Sequence, residues 1–202
     1  MPETSRRGPY AKGIAKREQI LREALQAYSE SDSSGPSLRA VAERVGLSER
    51  GLLHYFSSRD ELFVAILAAR DAADRAQFDV DDPIEVLVAN QTHTTRTPGL
   101  VRLFLEMAVA APDRAHAAHE FFSRRYPRLR GIVERMVVRS AEESGLPAPT
   151  HDDADFAARM LIAASDGLQL QWMLDPSIDM EADLLRLAML LRGTSPSAPS
   201  LP

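Results

Sequence analysis

Residues 37–63 read SLRAVAERVGLSERGLLHYFSSRDELF, and two short helical patterns meet there at one glycine. Ser37 is a good N-cap, and Leu38, Val41 and Ala42 recur at helical spacing up to Val45. Gly46 ends that run, since glycine enters the left-handed conformation of a tight turn without steric cost. Ser48 then caps a second helix whose apolar side is Leu52, Leu53, Tyr55 and Phe56. A helix-turn-helix requires this spacing: a small residue where the helices cross (Ala42), a glycine in the turn (Gly46) and an apolar anchor on the second helix (Leu52). A helical hairpin in a bundle uses the same residue types, so spacing alone leaves both readings open.

The next residues favour DNA binding. HYFSSRDELF, residues 54–63, places an aromatic pair, a serine turn, an arginine and an acidic first turn directly before another amphipathic helix, which is more than a hairpin needs. Here the chain resembles the tetracycline-repressor (TetR) family of bacterial transcription regulators. It carries Val45, Gly46, Leu47, Ser48, Leu52, Tyr55, Phe56, Ser58, Arg59, Asp60 and Leu62 at positions identical or similar to that family's pattern. Three departures fall on the DNA-facing side. Arg50 and then Gly51 stand where the family has glycine and a small residue, and Leu53 replaces a tyrosine, so no operator sequence carries over. The resemblance is strong over the N-terminal part of the chain. Beyond it the likeness is weaker, resting on the number of helices and on DGLQLQWMLDP near the C-terminus.

Composition sets outer bounds. A chain of 202 residues, 45% hydrophobic and 26% charged, suits one large or two small globular domains. The N-terminal stretch is polar, with Arg6, Arg7 and Lys12 and no apolar run after them, which argues against a signal peptide or membrane anchor; a cytoplasmic protein is expected. With no cysteine, disulfide scaffolds, thiol catalysis and cysteine-based metal or redox sensing are excluded together. The net charge of −5 hides a division along the chain. Residues 1–60 hold 10 basic against 8 acidic side chains, residues 61–202 hold 14 against 21, and within residues 1–22 the ratio is 6 to 2. Phosphates would therefore meet the N-terminal end.

Periodicity then predicts an all-α protein of about nine helices. Residues 1–9 read as a flexible arm, followed by a helix from about Tyr10 to Ser29 that braces the helix-turn-helix. A connecting helix starts near Ser58 and runs towards Phe78, another runs from Pro83 to Arg96, and a third follows the Thr97–Pro98 start and ends near Ala111. A long helix is expected from Pro112 to about Ser144, kinked or broken at Pro127. After the GLPAPT linker come two more, about His151–Leu174 and Asp179–Arg192. The division expected is a DNA-binding head of residues 1–57, a helical effector-binding and dimerisation body of 58–192, and a disordered tail of 193–202.

Candidate sites follow from that division. The second helix of the motif would lie in the major groove of an operator duplex, presenting Ser48, Glu49, Arg50 and His54 around Gly51. Arg50 suits bidentate contact with guanine, and Glu49 suits cytosine or a neighbouring arginine. Ser37, Arg39, Tyr55 and Arg59 suit phosphates. A glycine inside a helix costs about 1 kcal/mol against alanine, so Gly167 suggests close approach of another helix, from a second copy or from the same chain. The resemblance implies a homodimer through the last two helices, with Ile162, Gly167, Leu170, Leu174, Leu185 and Met189 as its candidates. It also implies a small-molecule effector, partly apolar, in a cavity whose candidate lining is His93, Arg96, Phe104, Met107, Phe122, Arg125, Tyr126, Gln169 and Trp172. Aromatic and methionine residues at helical spacing are also ordinary core. HAAHE, with His116, His119 and Glu120, would put both imidazoles on one helical face, but it matches neither order of a zinc-protease motif. No phosphate-binding glycine loop or GxSxG elbow occurs. The expectation is a non-enzymatic, cofactor-free repressor released from its operator by an effector. The rivals are a regulator controlled by a protein partner and a helical metal-dependent enzyme built on His116 and His119.

Overall fold

The computed structural model describes residues 9–77 and 94–193, with side chains described over 11–74 and 94–191. The helices are α1 (Pro9–Glu30), α2 (Leu38–Arg44), α3 (Glu49–Leu53), α4 (Arg59–Gln77), α5 (Pro98–Ala110), α6 (Ala118–Glu143), α7 (His151–Leu174) and α8 (Met180–Gly193). There is no strand among the described residues. No described helix is long and apolar enough to cross a membrane. Residues 1–8 of the expected arm, most of the helix expected over 83–96 and residues 194–202 of the expected tail lie outside the described residues; Pro9 already belongs to α1, and Thr94 and Thr95 are helical. The chain divides into two compact units: the described parts of Met1–Arg75 with Thr97–Phe121, and those of Ala76–Arg96 with Phe122–Pro202.

In the first unit, apolar residues at helical spacing make one core. Ile20, Ala24 and Tyr28 of α1 are buried, as are Val41 and Ala42 of α2, Leu52 of α3, and Leu62, Ile66 and Leu67 of α4. The turn between α2 and α3 is set by its hydrogen bonds. Leu47 N–H donates to the Ala42 carbonyl at 2.9 Å and Gly46 N–H to the Glu43 carbonyl at 3.1 Å, a Schellman closure that needs the positive φ (69°) held by Gly46. The ammonium of Lys16 on α1 donates to the Val45 carbonyl at 3.0 Å, satisfying one more group at the end of α2. Arg44 reaches back to Glu30 at 2.7 Å and Glu23 at 3.4 Å, joining α2 to α1.

Helix α5 belongs to this unit. Its first turn is so close to the end of α1 that a Cβ on Gly99 would lie 1.9 Å from Ser31 Oγ and 2.8 Å from the Tyr28 carbonyl oxygen. Leu100, Val101, Leu103, Phe104 and Met107 are buried along it. Thr97 precedes the helix without making a side-chain cap bond, so the start is set by Pro98 at the first helical position and by burial of Thr97 itself.

The long helix expected from Pro112 begins instead at Ala118, as α6. Residues 111–117 form turns in which Asp113 Oδ1 accepts Ala115 N–H at 2.9 Å and His116 Nδ1 accepts Ala118 N–H at 3.1 Å. Side-chain acceptors of this kind compete with the helical ladder, and here they hold off α6 until Ala118. Pro127 does not break α6, which runs through it to Glu143. The proline deprives the Ser123 carbonyl of its donor, and both residues are exposed, so water can serve that oxygen.

The second unit holds the rest of α6 with α7 and α8. Val133 and Met136 pack against Ala158 and Leu161, flanked by Ile132, Val137, Ile162 and Leu187. Thr150 caps α7 by accepting Asp153 N–H at 3.2 Å, and Asp179 caps α8 by accepting Ala182 N–H at 3.0 Å.

Candidate functional site

The candidate surface of the helix-turn-helix is built from a helix of five residues, Glu49–Leu53, fixed at one end by a cap and beneath by an anchor. Ser48 Oγ accepts Gly51 N–H at 3.1 Å, and Leu52 is fully buried. Ser48, Arg50, Gly51, Leu53 and His54 line a shallow depression on the outer side. Gly51 has a local reason to be small: a Cβ there would approach Ser48 Oγ to 3.3 Å. The basic residues of the motif differ in what already holds them. Arg39 is paired with Glu43 at 2.8 Å, Arg44 with Glu23 and Glu30, and the Arg59 guanidinium lies 4.7 Å from the Phe63 ring centroid. Arg50 makes no ion pair among the described residues, and it stands exposed in the first turns of α3 with Glu49.

Ser37 is committed as a cap, accepting Ala40 N–H at 3.1 Å, and Tyr55 meets His54 edge-on at 5.8 Å. The start of α4 is fixed by Ser58 Oγ, which accepts Glu61 N–H at 3.0 Å, while the Glu61 carboxylate accepts Ser57 N–H. Arg17 lies 4.7 Å from the Phe56 ring centroid and 3.6 Å from Glu61. The turn after α3 is therefore held from both sides.

In the second unit, α6 and α7 bring together a small polar group in apolar surroundings. The Tyr126 hydroxyl donates to Asp166 Oδ2 at 2.8 Å, and the Phe122 and Tyr126 ring centroids are 5.7 Å apart. Burial pushes the Asp166 carboxyl above the usual carboxylate range, opposed by the Tyr126 hydrogen bond and more weakly by the charge of Arg125. Burial, with the neighbouring Asp166 charge, also raises Tyr126. Gln169, one turn beyond Asp166, is only 8% exposed. A separate open cleft of about 690 Å³ lies farther along α6, where Arg135, Arg139 and Glu142 face Pro149 and His151.

Residues 20–66 match the family described as "Bacterial regulatory proteins, tetR family", and residues 85–192 match "BetI-type transcriptional repressor, C-terminal". The HTH-type transcriptional regulator PksA of Bacillus subtilis (strain 168) is 32% identical over 168 residues, 80% of each chain. The chain belongs to the TetR family. It is a helix-turn-helix transcriptional regulator that binds DNA. Solved TetR-like structures share its fold. A TetR transcriptional regulator from Rhodococcus sp. RHA1 has a TM-score of 0.61 at 24% identity, covering 88% of this chain and 96% of that one. FadR from Bacillus subtilis, solved in complex with stearoyl-CoA, has a TM-score of 0.60 at 13% identity, covering 87% and 97%.

Within this TetR-family chain the expected body residues fall in different places. Phe104 and Met107 are buried in the first unit, whereas Phe122, Arg125, Tyr126, Gln169 and Trp172 are in the second. Arg96 is exposed, and His93 lies outside the described residues. Ile162 packs into the core of its own chain and Leu185 is half-buried. Leu170, Leu174 and Met189 are more than half exposed, and a Cβ on Gly167 would meet nothing within 4 Å.

Sequence reasoning passed over Asp166, although it is the one charged residue in MLIAASDGLQLQWML, residues 160–174. It also passed over Phe156, which is exposed on α7.

The histidines of HAAHE do not share a helical face, because α6 starts between them. His116 Nδ1 accepts Ala118 N–H, so its proton sits on Nε2 and faces Asp60 Oδ2 at 3.2 Å. His119 Nδ1 is 2.9 Å from the Ala111 carbonyl, to which it donates. Both rings are occupied in holding the turn, and no group of three potential metal ligands occurs among the described residues.

Proposed function

We propose that this regulator works as a homodimeric repressor whose two reading helices bind one face of an operator, and that a small molecule held in the second unit releases it. The observation carrying the dimer is an apolar stripe on α7. Phe156, Met160, Gly167, Leu170 and Leu174 recur at spacings of three, four and seven residues along one side, and the four large ones are 50%, 37%, 53% and 81% exposed. A seam of this period is the pattern on which two helices pack, and large apolar patches left open on a soluble surface mark interaction sites. Gly167 sits in the middle with open space above it, which supports close approach by a second copy over packing within the chain. Met189 and Leu190 add exposed apolar surface on α8.

Two copies are also what an operator demands. A helix of five residues reads only a few base pairs, and two such helices about 34 Å apart meet successive major grooves on one face of the duplex. Release then needs an effector that prefers the conformation whose head spacing does not fit DNA. A 100-fold preference supplies about 2.7 kcal/mol towards release. The Tyr126–Asp166 group supports a polar anchor for such a ligand, on elements outside the unit that carries the reading helix.

Selection from random duplexes by the purified protein tests this reading. Inverted repeats whose half-site centres are about one helical turn apart, or a multiple of it, are expected. Recovery of single half-sites with no symmetry would rule out the dimeric operator.

A further inference from the structure

Buried polar atoms are almost always hydrogen-bonded, so an exception asks what satisfies it. Gln169 is such an exception. It is 92% buried, yet its side-chain amide has no hydrogen-bond partner among the described residues. One turn earlier on the same face, Asp166 is in a related position. Its carboxylate has room for about four hydrogen bonds and receives one, from the Tyr126 hydroxyl at 2.8 Å, all of it on Oδ2. Residues three apart on a helix are neighbours, so Oδ1 of Asp166 and Oε1 of Gln169 are two unsatisfied acceptors within reach of one small molecule. The Phe122 and Tyr126 rings, 5.7 Å apart on α6, supply apolar faces beside them.

The charge balance points the same way. Arg125, next to Tyr126, is the fixed positive charge acting on Asp166, and it offsets less than burial costs. An anionic ligand would add repulsion to a carboxylate already short of compensation. A neutral hydroxyl would satisfy one acceptor and leave the charge as it is.

We propose that Asp166 and Gln169 anchor a small organic cation bearing N–H donors, a primary or secondary ammonium on an apolar or aryl frame. One N–H meets the open Asp166 oxygen, a second meets the Gln169 carbonyl, and the frame lies against Phe122 and Tyr126, whose faces attract a cation. A quaternary ammonium has no N–H and leaves both acceptors unsatisfied, so it binds more weakly than an amine of similar size. The assignment rests on reading this unit as the effector-binding part.

The test uses the full-length protein titrated with benzylamine, benzyl alcohol, benzyltrimethylammonium and benzoate, and with hexylamine against hexanol. Calorimetry reports binding, and the single tryptophan, Trp172, lies one turn beyond Gln169 and gives an independent fluorescence signal. Each amine is expected to bind at least tenfold more tightly than its alcohol, with benzoate weakest. Asp166→Asn keeps an acceptor for Tyr126, so the variant should fold, and it should abolish the preference for amine over alcohol. Gln169→Leu should weaken amines several-fold more than alcohols. The assignment is overturned if neither amine outcompetes its alcohol, or if Asp166→Asn keeps the preference. Operator release is followed separately by mobility shift. Amine preference without release retains the site and removes the effector reading; release by a cell extract with no amine preference does the reverse.

Discussion

Arg50 and Arg59 are nine residues apart and both basic, but the protein prepares them for different tasks. Arg59 rests on the Phe63 ring at the start of α4, while Arg50, on α3, makes no ion pair among the described residues. Gly46 is decided by backbone conformation: alanine at φ 69° should cost about 1–2 kcal/mol, lowering the melting midpoint and DNA affinity together. Asp166 is decided by burial. Its folded carboxyl holds a proton more tightly than the ordinary carboxylate, so between the ordinary range and the raised value the folded state binds more protons than the unfolded state. Stability is therefore lost over that window. Asp166→Asn removes the burden, and thermal melts should show the variant gaining over the parent at pH 7.5, with the gain shrinking towards pH 4. A gain that grew on acidification would contradict the assignment.

At the scale of elements, helices with a clear cap and a one-sided apolar period were legible from sequence: Ser37 before α2 and Ser48 before α3. The start of α6 was not, because the Asp113 and His116 acceptors that hold the turn open look like ordinary helix residues until their partners are known. The Gly99 contact was hidden for a similar reason. Nothing local distinguishes a glycine needed by a distant helix, and only the structure brings Tyr28 and Ser31 against it. Since the Tyr28 carbonyl is backbone and cannot swing aside, Gly99→Ala should push α5 from α1. We expect a loss of about 1–3 kcal/mol in denaturant titrations. An unchanged midpoint would mean that the two helices part easily. In the body, the aromatic residues were legible as candidates, but which of them met a buried acid depended on the pairing of α6 with α7.

On the scale of the whole molecule, the open stripe on α7 and the reading helix make one argument: a short helix reads too little DNA alone, and the stripe supports a second copy. Replacing Leu170 and Leu174 with glutamate should give a monomer by light scattering at micromolar concentration, with helicity kept and operator affinity lost. A parent protein that is already monomeric there would remove the dimer. The central claim is that the Ser48-capped helix reads bases, and it is tested most directly by titrating the parent, Arg50→Ala and Arg59→Ala against a selected operator and a random duplex at one salt concentration. Arg50→Ala should lose about 1–3 kcal/mol on the operator and little on random DNA, while Arg59→Ala should weaken both alike. Equal losses on both duplexes for Arg50→Ala would contradict base reading by this helix.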